Sequence, residues 1–592
     1  MTASPEPERD DESAARAPRA RLRWFRARNE VVWLFLLALG IRAAVAYVNP
    51  AILPDSVTLL RLSAEVGREG IGAVIGSSEH PLVPWIISLF PRALDAETGA
   101  IALSVFAGAF AVWPLHTIAR RACGRHAATA ASIIYAALPK AVGIATVPHA
   151  SAVLLPLLLS GLALAMVAPL GQSRRRRRVR RRRIRRVLAL RFARFARRLR
   201  RVPARKRARV DTRPVPPIDR GTRSVCGVAG ARLRGVVARL VGSGVMCGLA
   251  YLCRPEGAVA AFGAVVAAFA MAQKGRRLAS AAIVSAAFVL LAAPYAIALS
   301  HHAGRFELTP KKSLAKVVGV DQTPADESPV EDSRVASDLA SKFGGALPAP
   351  VIVFVLAGIA VPRRWRRGPG RRARLVVLHM AAVFVALLLR VRWGWGYSAA
   401  RHMLTSGVLL LPFAGEGLHF IGGFISRMVA RRRLTVVLAS FFAIPCAVLC
   451  VTQPEGATHA DARALGELLA RQTPGDGPVV VASFAEPLVA YYAERTRGAP
   501  VSDLRLWRSF GGTGPDKKLA RALDDARVRS GDLRDALREG GARWLVIDLF
   551  KGGPGGGPES PGRALAAKLI ADGIVTAPAT SAGSSLAAFA VR

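Results

Sequence analysis

Cysteine is scarce in this sequence. Six cysteines occur in 592 residues, and the segment after residue 452 has none. No pair of them is accompanied by further cysteines or histidines at the spacing of a zinc site. We therefore expect small buried side chains at these positions rather than metal ligands.

Nucleotide-binding motifs are also missing. No G-x-G-x-x-G follows a predicted strand and no Walker loop is present, so no nucleotide cofactor is predicted. Asp55, Glu79 and His80 lack a spacing that indicates a metal ion. The sequence therefore assigns no metal site and leaves a divalent cation as an open alternative.

Acidic residues are few, because 39 Asp and Glu stand against 84 Lys and Arg, for a formal net charge of +45. Residues 171–240 alone hold 27 Lys or Arg and two Asp. Apolar residues recur there every three or four positions, at Ile184, Leu188, Phe192, Phe195 and Leu199. This period predicts an amphipathic helix lying on an anionic membrane surface. We predict anionic lipid as the partner of this segment and no nucleic acid; a solvated loop is the alternative.

Apolar residues, in contrast, are abundant, at 52% of the chain. A helix needs about 20 mostly apolar residues to cross a bilayer. The candidate stretches are residues 31–48, 98–118, 127–144, 149–170, 236–252, 257–273, 278–300, 347–362, 374–390, 403–426 and 434–452. They predict a polytopic α-helical membrane protein with about eleven transmembrane helices.

The charges of the loops predict the orientation of these spans. If the spans cross the membrane alternately, the loops on one side are short and basic. Examples are "ARRACGRH", "QKGRR" and "PRRWRRGPGRRAR". Short basic loops stay in the cytoplasm. We therefore predict a disordered cytoplasmic N-terminus at 1–30, a transmembrane domain at 31–452, an Arg-rich cytoplasmic loop at 171–235 and a periplasmic loop at 301–346. The first apolar run has no small-residue cleavage site after it, so it is predicted to be retained as a span.

The composition changes after residue 452. The runs "PVVVAS" and "RWLVIDLF" are typical of short strands, and the segments between them have helical periodicity. Residues 453–592 are therefore predicted to form a small α/β domain, on the periplasmic face by the span count.

Four groups of polar residues lie near span ends on the predicted periplasmic side. They are Asp55; Glu79 with His80; Arg254 with Glu256; and Arg390, Arg392, Arg401 and His402. The charge rule predicts few cations on that side, and an arginine fork suits phosphate oxygens. We therefore predict contacts of the arginines with the phosphate of a lipid carrier; snorkelling at span ends is the alternative.

Asp55 is the candidate general base. A carboxylate facing a cavity at the membrane surface could take the proton of an acceptor hydroxyl as that oxygen attacks a sugar carbon. The alternative is a helix N-cap, because "PDS" is a common helix start.

Together these segments resemble the GT-C membrane glycosyltransferases, in particular the dolichyl-phosphate-mannose protein mannosyltransferase and aminoarabinose transferase superfamily. The resemblance covers about residues 31–430 and rests on "IRAAVA", the Asp of the first outer loop, "EHPLVPWIISL", "GLAYLCRPEG" and "ARHMLTSGVLLLPFAGEGL". It implies Asp55 as catalytic base and outer basic residues, among them Arg254, Arg392 and Arg401, as phosphate ligands. The sequence departs from the family where "TVPHASAVLL" places His149 at a position that is usually acidic.

The combined prediction is a glycosyltransferase of the bacterial inner membrane that uses a polyprenyl-phosphate sugar. Its acceptor is a periplasmic glycan, lipid or protein. Asp55 is the predicted catalytic residue, and Arg254, Arg392, Arg401, Glu79, His80 and His402 are the predicted substrate-binding residues. A transporter or flippase of lipid-linked glycans and a non-catalytic assembly protein are the alternatives. A transporter predicts internal repeats and charges buried in mid-span, and the sequence shows no repeat.

Overall fold

A computed structural model gives the structure of the chain. It describes residues 16–48, 52–75, 77, 79–90, 94–168, 223–309, 332–361, 369–395, 400–429, 434–452, 457–473, 479–483, 488–505, 530–548, 561–576, 578 and 586–592.

The described chain up to residue 452 is helical. In order, the helices are α1 (Arg16–Val48), α2 (Pro54–Glu69), α3 (Leu82–Ser88), α4 (Ala96–Phe110), α5 (Val112–Ala122), α6 (Arg125–Ala136), α7 (Pro139–Ala145), α8 (Ala150–Val167), α9 (Arg223–Cys253), α10 (Glu256–Met271), α11 (Arg277–Ala303), α12 (Asp332–Ala346), α13 (Ala349–Ala360), α14 (Pro369–Trp395), α15 (Ala400–Val429) and α16 (Leu434–Thr452). Helix α1 begins inside the segment expected to be disordered, because residues 16–30 are rich in helix formers and continue into an apolar run. The predicted helix with its stripe from Ile184 to Leu199 lies outside the described residues.

Seven helices of the described part are long and apolar enough to cross a membrane, or nine if each of two bent pairs is one span. The bent pairs are α6 with α7, at 58°, and the end of α12 with α13, at 95°. Two shorter apolar helices, Glu256–Met271 and Val437–Val448, lie where the remaining spans are predicted. The chain thus has the helices of a multi-span membrane protein, and eleven crossings stay a prediction.

Arg42 is completely buried at the break between α6 and α7. Its Nη1 atom donates to the carbonyl oxygens of Ala38 and Ala136, each at 3.1 Å, and its guanidinium lies 4.9 Å from the centre of the Tyr135 ring. The last carbonyls of a helix have no partner within it. Arg42 therefore supplies a hydrogen bond that the helix backbone cannot make at this bend.

Arg374 of α14 and Glu416 of α15 form a second buried polar contact, as an ion pair. Arg374 also donates from Nε to the carbonyl oxygen of Ala122 at 3.2 Å. This pair links three helices at one point of the bundle. Close by in sequence, Gly417 of α15 packs against the backbone of α13 at Phe354, leaving no room for a Cβ atom. Such close approach is typical of helix packing in membranes.

Residues after 452 add four helices and four strands in the described part. They are α17 (Ala457–Gln472), β1 (Val479–Ser483), α18 (Leu488–Arg497), β2 (Val501–Arg505), α19 (Ser530–Glu539), β3 (Ala542–Asp548), α20 (Pro561–Ala571) and β4 (Leu586–Ala590). The sheet has the order β2-β1-β3-β4, with β2 and β3 parallel to β1 and β4 antiparallel to β3.

The two faces of this sheet belong to different hydrophobic clusters, as side-chain alternation along strands requires. Leu545 and Ile547 face α19 and α20 in one cluster. Val481 and Val546 belong to a second cluster, which also contains Val57 of α2. The sheet and the first outer segment therefore share one apolar core.

Ion pairs surround this shared core. Arg495 of α18 pairs with Glu97 and, at 3.2 Å, with Asp95, both at the start of α4. Arg61 of α2 pairs with Glu494 at 3.0 Å. Helix α18 is thereby held against α2 and the start of α4.

Candidate active site

Asp55 lies in the first turn of α2, and its side chain is 53% exposed. It is not the N-cap, which corrects the alternative reading of "PDS". The N-cap is Leu53, whose backbone N–H donates to Oγ of Ser56 at 3.1 Å. Ser56 therefore closes the cap with Leu53, and Asp55 is an acidic residue of the first turn rather than the cap residue.

His149 is the buried neighbour of Asp55. It is the N-cap of α8, where its Nδ1 atom accepts from the backbone N–H of Ser151 at 3.0 Å. In a neutral imidazole with Nδ1 as acceptor, the proton is on Nε2. Nε2 lies 3.8 Å from Oδ2 of Asp55, so the imidazole faces the carboxylate with its donor.

Arg254 reaches the same region from the connection between α9 and α10. It donates from Nη1 to Oγ of Ser151 at 2.8 Å. Its fork engages Glu256, with Nε to Oε2 at 3.2 Å and Nη2 to Oε1 at 2.9 Å. Ser151 therefore joins the His149 cap to the Arg254–Glu256 ion pair.

The carboxylates around Arg254 change the pKa of its guanidinium. Burial by itself lowers the pKa of Arg254, but the Glu256 carboxylate, with Glu79 and Asp55 farther away, raises it above the usual value. Asp55 and Glu79 are thus near enough to interact electrostatically with the same guanidinium, which holds a permanent positive charge among them.

His80 is buried behind Glu79. Its ring packs against two tyrosines, with centroid distances of 5.5 Å to Tyr251 and 5.3 Å to Tyr295. Tyr251 donates its hydroxyl to the carbonyl oxygen of Leu308 at 2.7 Å. The "EHP" segment is consequently anchored on α9 and α11, and the half-buried Glu79 is more accessible than the buried His80.

The late-chain candidates divide into two groups. His402 of α15 is partly buried and interacts electrostatically with Glu256, so the fold brings it to the cluster. Arg392 and Arg401 lie on α14 and α15, but their side chains are outside the described residues. Their phosphate contacts stay predictions.

Sequence reasoning missed the connecting residues. The sequence does not single out Ser151, and it marks His149 by a departure from a family pattern rather than by its position beside Asp55. One signal was present, because "HAS" before the apolar run 152–159 has the polar residue of a helix N-cap. The contact of Ser151 with Arg254, 103 residues away, has no local signal.

The described residues contain no group of three His, Cys, Asp or Glu side chains arranged to hold a metal ion. They do contain an exposed carboxylate beside a buried imidazole N–H, with an ion-paired arginine behind both. Such an arrangement can accept a proton from a hydroxyl group and place positive charge near a leaving anion.

No family model matches the sequence, and no curated protein matches it. In structure, it is similar to ArnT from Cupriavidus metallidurans in the apo state, with a TM-score of 0.54 and 12% identity, covering 95% of this chain and 98% of that one. The same protein bound to undecaprenyl phosphate gives a TM-score of 0.54 and 13% identity, covering 95% and 97%.

The oligosaccharyltransferase of Archaeoglobus fulgidus, in the apo form, aligns at a TM-score of 0.46 with 14% identity, covering 88% of this chain and 69% of that one. The likeness in fold rests on the two ArnT structures, because each alignment covers nearly the whole of this chain and of the ArnT chain. The resemblance in fold that the sequence indicates is therefore confirmed. This chain has the fold of ArnT, which is the GT-C fold of membrane glycosyltransferases.

Proposed function

We propose that this protein is a membrane glycosyltransferase that moves a sugar from a polyprenyl-phosphate carrier to an acceptor on the periplasmic side of a bacterial inner membrane. The observation that carries the proposal is the placement of Asp55. Asp55 is not the N-cap residue of its helix, and its exposed carboxylate lies 3.8 Å from a buried imidazole nitrogen. The proposal draws support from the fold, since ArnT with this fold binds undecaprenyl phosphate.

In the proposed reaction the acceptor hydroxyl attacks the anomeric carbon of the sugar. The new glycosidic bond forms as the bond from that carbon to the carrier phosphate breaks, and the phosphate leaves with its electron pair. Asp55 takes the hydroxyl proton, which is general base catalysis. The energy of the transfer comes from the sugar-phosphate bond, so no nucleotide is needed.

Positive charge near the leaving phosphate would come from Arg254, together with Arg392 and Arg401. Arg254 already holds Glu256 with its fork. We therefore assign it long-range electrostatic stabilisation of the leaving group and leave direct phosphate contacts to the arginines of α14 and α15. Glu79 interacts with the Arg254 guanidinium and His402 with Glu256, and both would contact the sugar or the acceptor. His80, being buried against tyrosines, would position Glu79.

The test uses membranes that contain the full chain and a radiolabelled polyprenyl-phosphate sugar. Asp55→Asn keeps the size and polarity of the side chain but removes the base. We expect label transfer to fall about 10²- to 10⁴-fold. Glu65→Gln, at an exposed acid on the same helix, is the matched control and should transfer label like the wild type.

Carrier binding is measured in parallel on the purified proteins. Unchanged binding with lost transfer supports catalysis by Asp55. Equal transfer by Asp55→Asn and wild type would contradict the role of Asp55. Movement of labelled carrier between the leaflets of vesicles, without transfer, would instead identify a flippase.

A further inference from the structure

A cavity of about 410 Å³ lies at a different place, and none of the described residues of the candidate active site lines it. Helix α5 supplies most of its wall, with Trp113, His116, Thr117, Arg120 and Arg121. Helices α1 and α8 contribute Val31 and Val167. The cavity is thus a pocket between three helices, with one helix face providing its polar groups.

The order of groups along α5 follows from helix geometry. Trp113, His116 or Thr117, and Arg120 are three or four residues apart, so they lie on one face. An aromatic ring, a hydroxyl and a guanidinium therefore follow one another along the helix axis. Trp113 is 46% exposed, which suits a side chain at a lipid boundary.

The helix ends that meet here belong to one side of the bundle. Val31 is near the start of the first candidate span, Arg121 near the end of the second, and Val167 is the end of α8. With spans crossing alternately, these three ends are all predicted to be cytoplasmic, and their meeting at one cavity agrees with that alternation. The cavity then lies at the level of the lipid headgroups of the cytoplasmic leaflet.

The charge of the pocket is positive. Its described lining has two arginines and no acidic residue. Glu30 lies 3.9 Å from His116, but its carboxylate accepts from Arg125 at 2.8 and 2.5 Å. Cations at the end of a helix also stabilise its dipole, which explains the arginines but not a cavity shared with Trp113 and two other helices.

We infer that this cavity binds the headgroup of an anionic phospholipid. Arg120 and Arg121 would hold the phosphodiester, and Trp113 would pack at the level of the glycerol. The chemistry is that of an anionic phosphate ester. A lipid is favoured over free phosphate because the wall combines these groups with Val31, Val167 and an exposed indole.

The test is native mass spectrometry of the full-length protein with increasing short-chain phosphatidylglycerol. Phosphatidylcholine and inorganic phosphate are measured in separate arms. We expect one tightly bound phosphatidylglycerol, with affinity falling about 30-fold in Arg120→Gln/Arg121→Gln. Arg120 is exposed, so Arg120→Gln alone tests the pocket if the double variant does not fold, with an expected loss of about fivefold.

The Arg-rich segment provides the matched control, because it is also expected to attract anionic lipid. Arg185→Gln/Arg186→Gln removes two cations there and should leave the tight site within twofold of wild type. Equal binding of phosphatidylcholine, displacement of the lipid by an equal concentration of inorganic phosphate, or unchanged affinity in the folded Arg120 variants would each overturn the inference.

Discussion

His149 Nε2 faces Asp55 Oδ2 across 3.8 Å, while the other nitrogen of the same ring caps α8. One side chain thus connects the start of a buried helix with the proposed general base. The two roles use different ring atoms, so substitution can separate them.

His149→Asn is the variant that makes this separation. The Asn side chain is a good N-cap and can accept from the N–H of Ser151, but it cannot place an imidazole N–H beside Asp55. We expect a thermal midpoint near that of the wild type and label transfer reduced about tenfold or more. His149→Ala should lose the cap as well, at about 1 kcal/mol. Full transfer by folded His149→Asn would show that the imidazole does not assist Asp55.

Ser151→Ala tests the link between the His149 cap and Arg254. The variant keeps the backbone N–H that His149 caps but removes the oxygen that accepts from Arg254 Nη1. A hydrogen bond to a charged group is worth about 1.5–3 kcal/mol. We expect a lower thermal midpoint and slower label transfer, since Arg254 loses one of the contacts that fix it.

Ser160→Ala on the same helix is the control for Ser151→Ala. Both changes remove one hydroxyl from α8, so any general effect on the helix should be equal. If the two variants are equally stable and equally active, the link through Ser151 has no function.

The Arg374–Glu416 pair should behave as a buried ion pair. Arg374→Met leaves Glu416 buried without its partner, at a cost of about 3–5 kcal/mol. Arg374→Met/Glu416→Met replaces both charges and should recover most of the lost stability. The measurement is the thermal midpoint in one detergent for the wild type, both single variants and the double variant. Additive losses would mean that the two side chains stabilise the fold independently.

Asp95 makes the docking of α18 sensitive to acid. Burial acts to raise the pKa of Asp95, but hydrogen bonds from Thr98 and the charges of Arg495 and Arg463 lower it overall. A carboxyl group with a depressed pKa contributes stability above its unfolded-state value of about 3.9 and loses it as the pH falls through the folded-state value. We expect amide exchange in α18, corrected for its intrinsic rate, to accelerate below about pH 4.

Arg495→Gln should show the faster exchange already at neutral pH and a weaker dependence on acid. Asp535→Asn changes an exposed acid on α19 and is the control, with the pH dependence of the wild type expected. An Arg495→Gln variant that retains the full dependence would exclude the Asp95–Arg495 ion pair as its source.

Regular features of the fold are predictable because they depend on local sequence. The apolar run of α8 and the strands at 479–483 and 542–548 lie where hydropathy and alternation indicate them. Features that depend on contacts between residues far apart in the sequence are not predictable in this way. Arg42 can be buried in a span because Ala136, 94 residues away, offers a carbonyl oxygen at a helix end.

The candidate site shows the same division. Asp55, Glu79, Arg254 and His402 could be selected because they are polar residues at the ends of apolar runs. Whether Asp55 is the N-cap residue of α2 depends on Ser56, which accepts from Leu53 and also donates to the carbonyl oxygen of Pro148 at 2.5 Å. That second contact joins segments 92 residues apart, so the sequence alone could not decide between the two readings.

The hydrophobic cluster that joins Val57 of α2 with Val481 and Val546 of the sheet has a consequence for engineering this protein. A truncation after the last apolar helix would remove the sheet residues that pack against α2. The apolar face of the helix that contains Asp55 would then be exposed. Chimaeras that graft a new carboxy-terminal module for a different acceptor should therefore carry the matching amphipathic segment 54–69 with them.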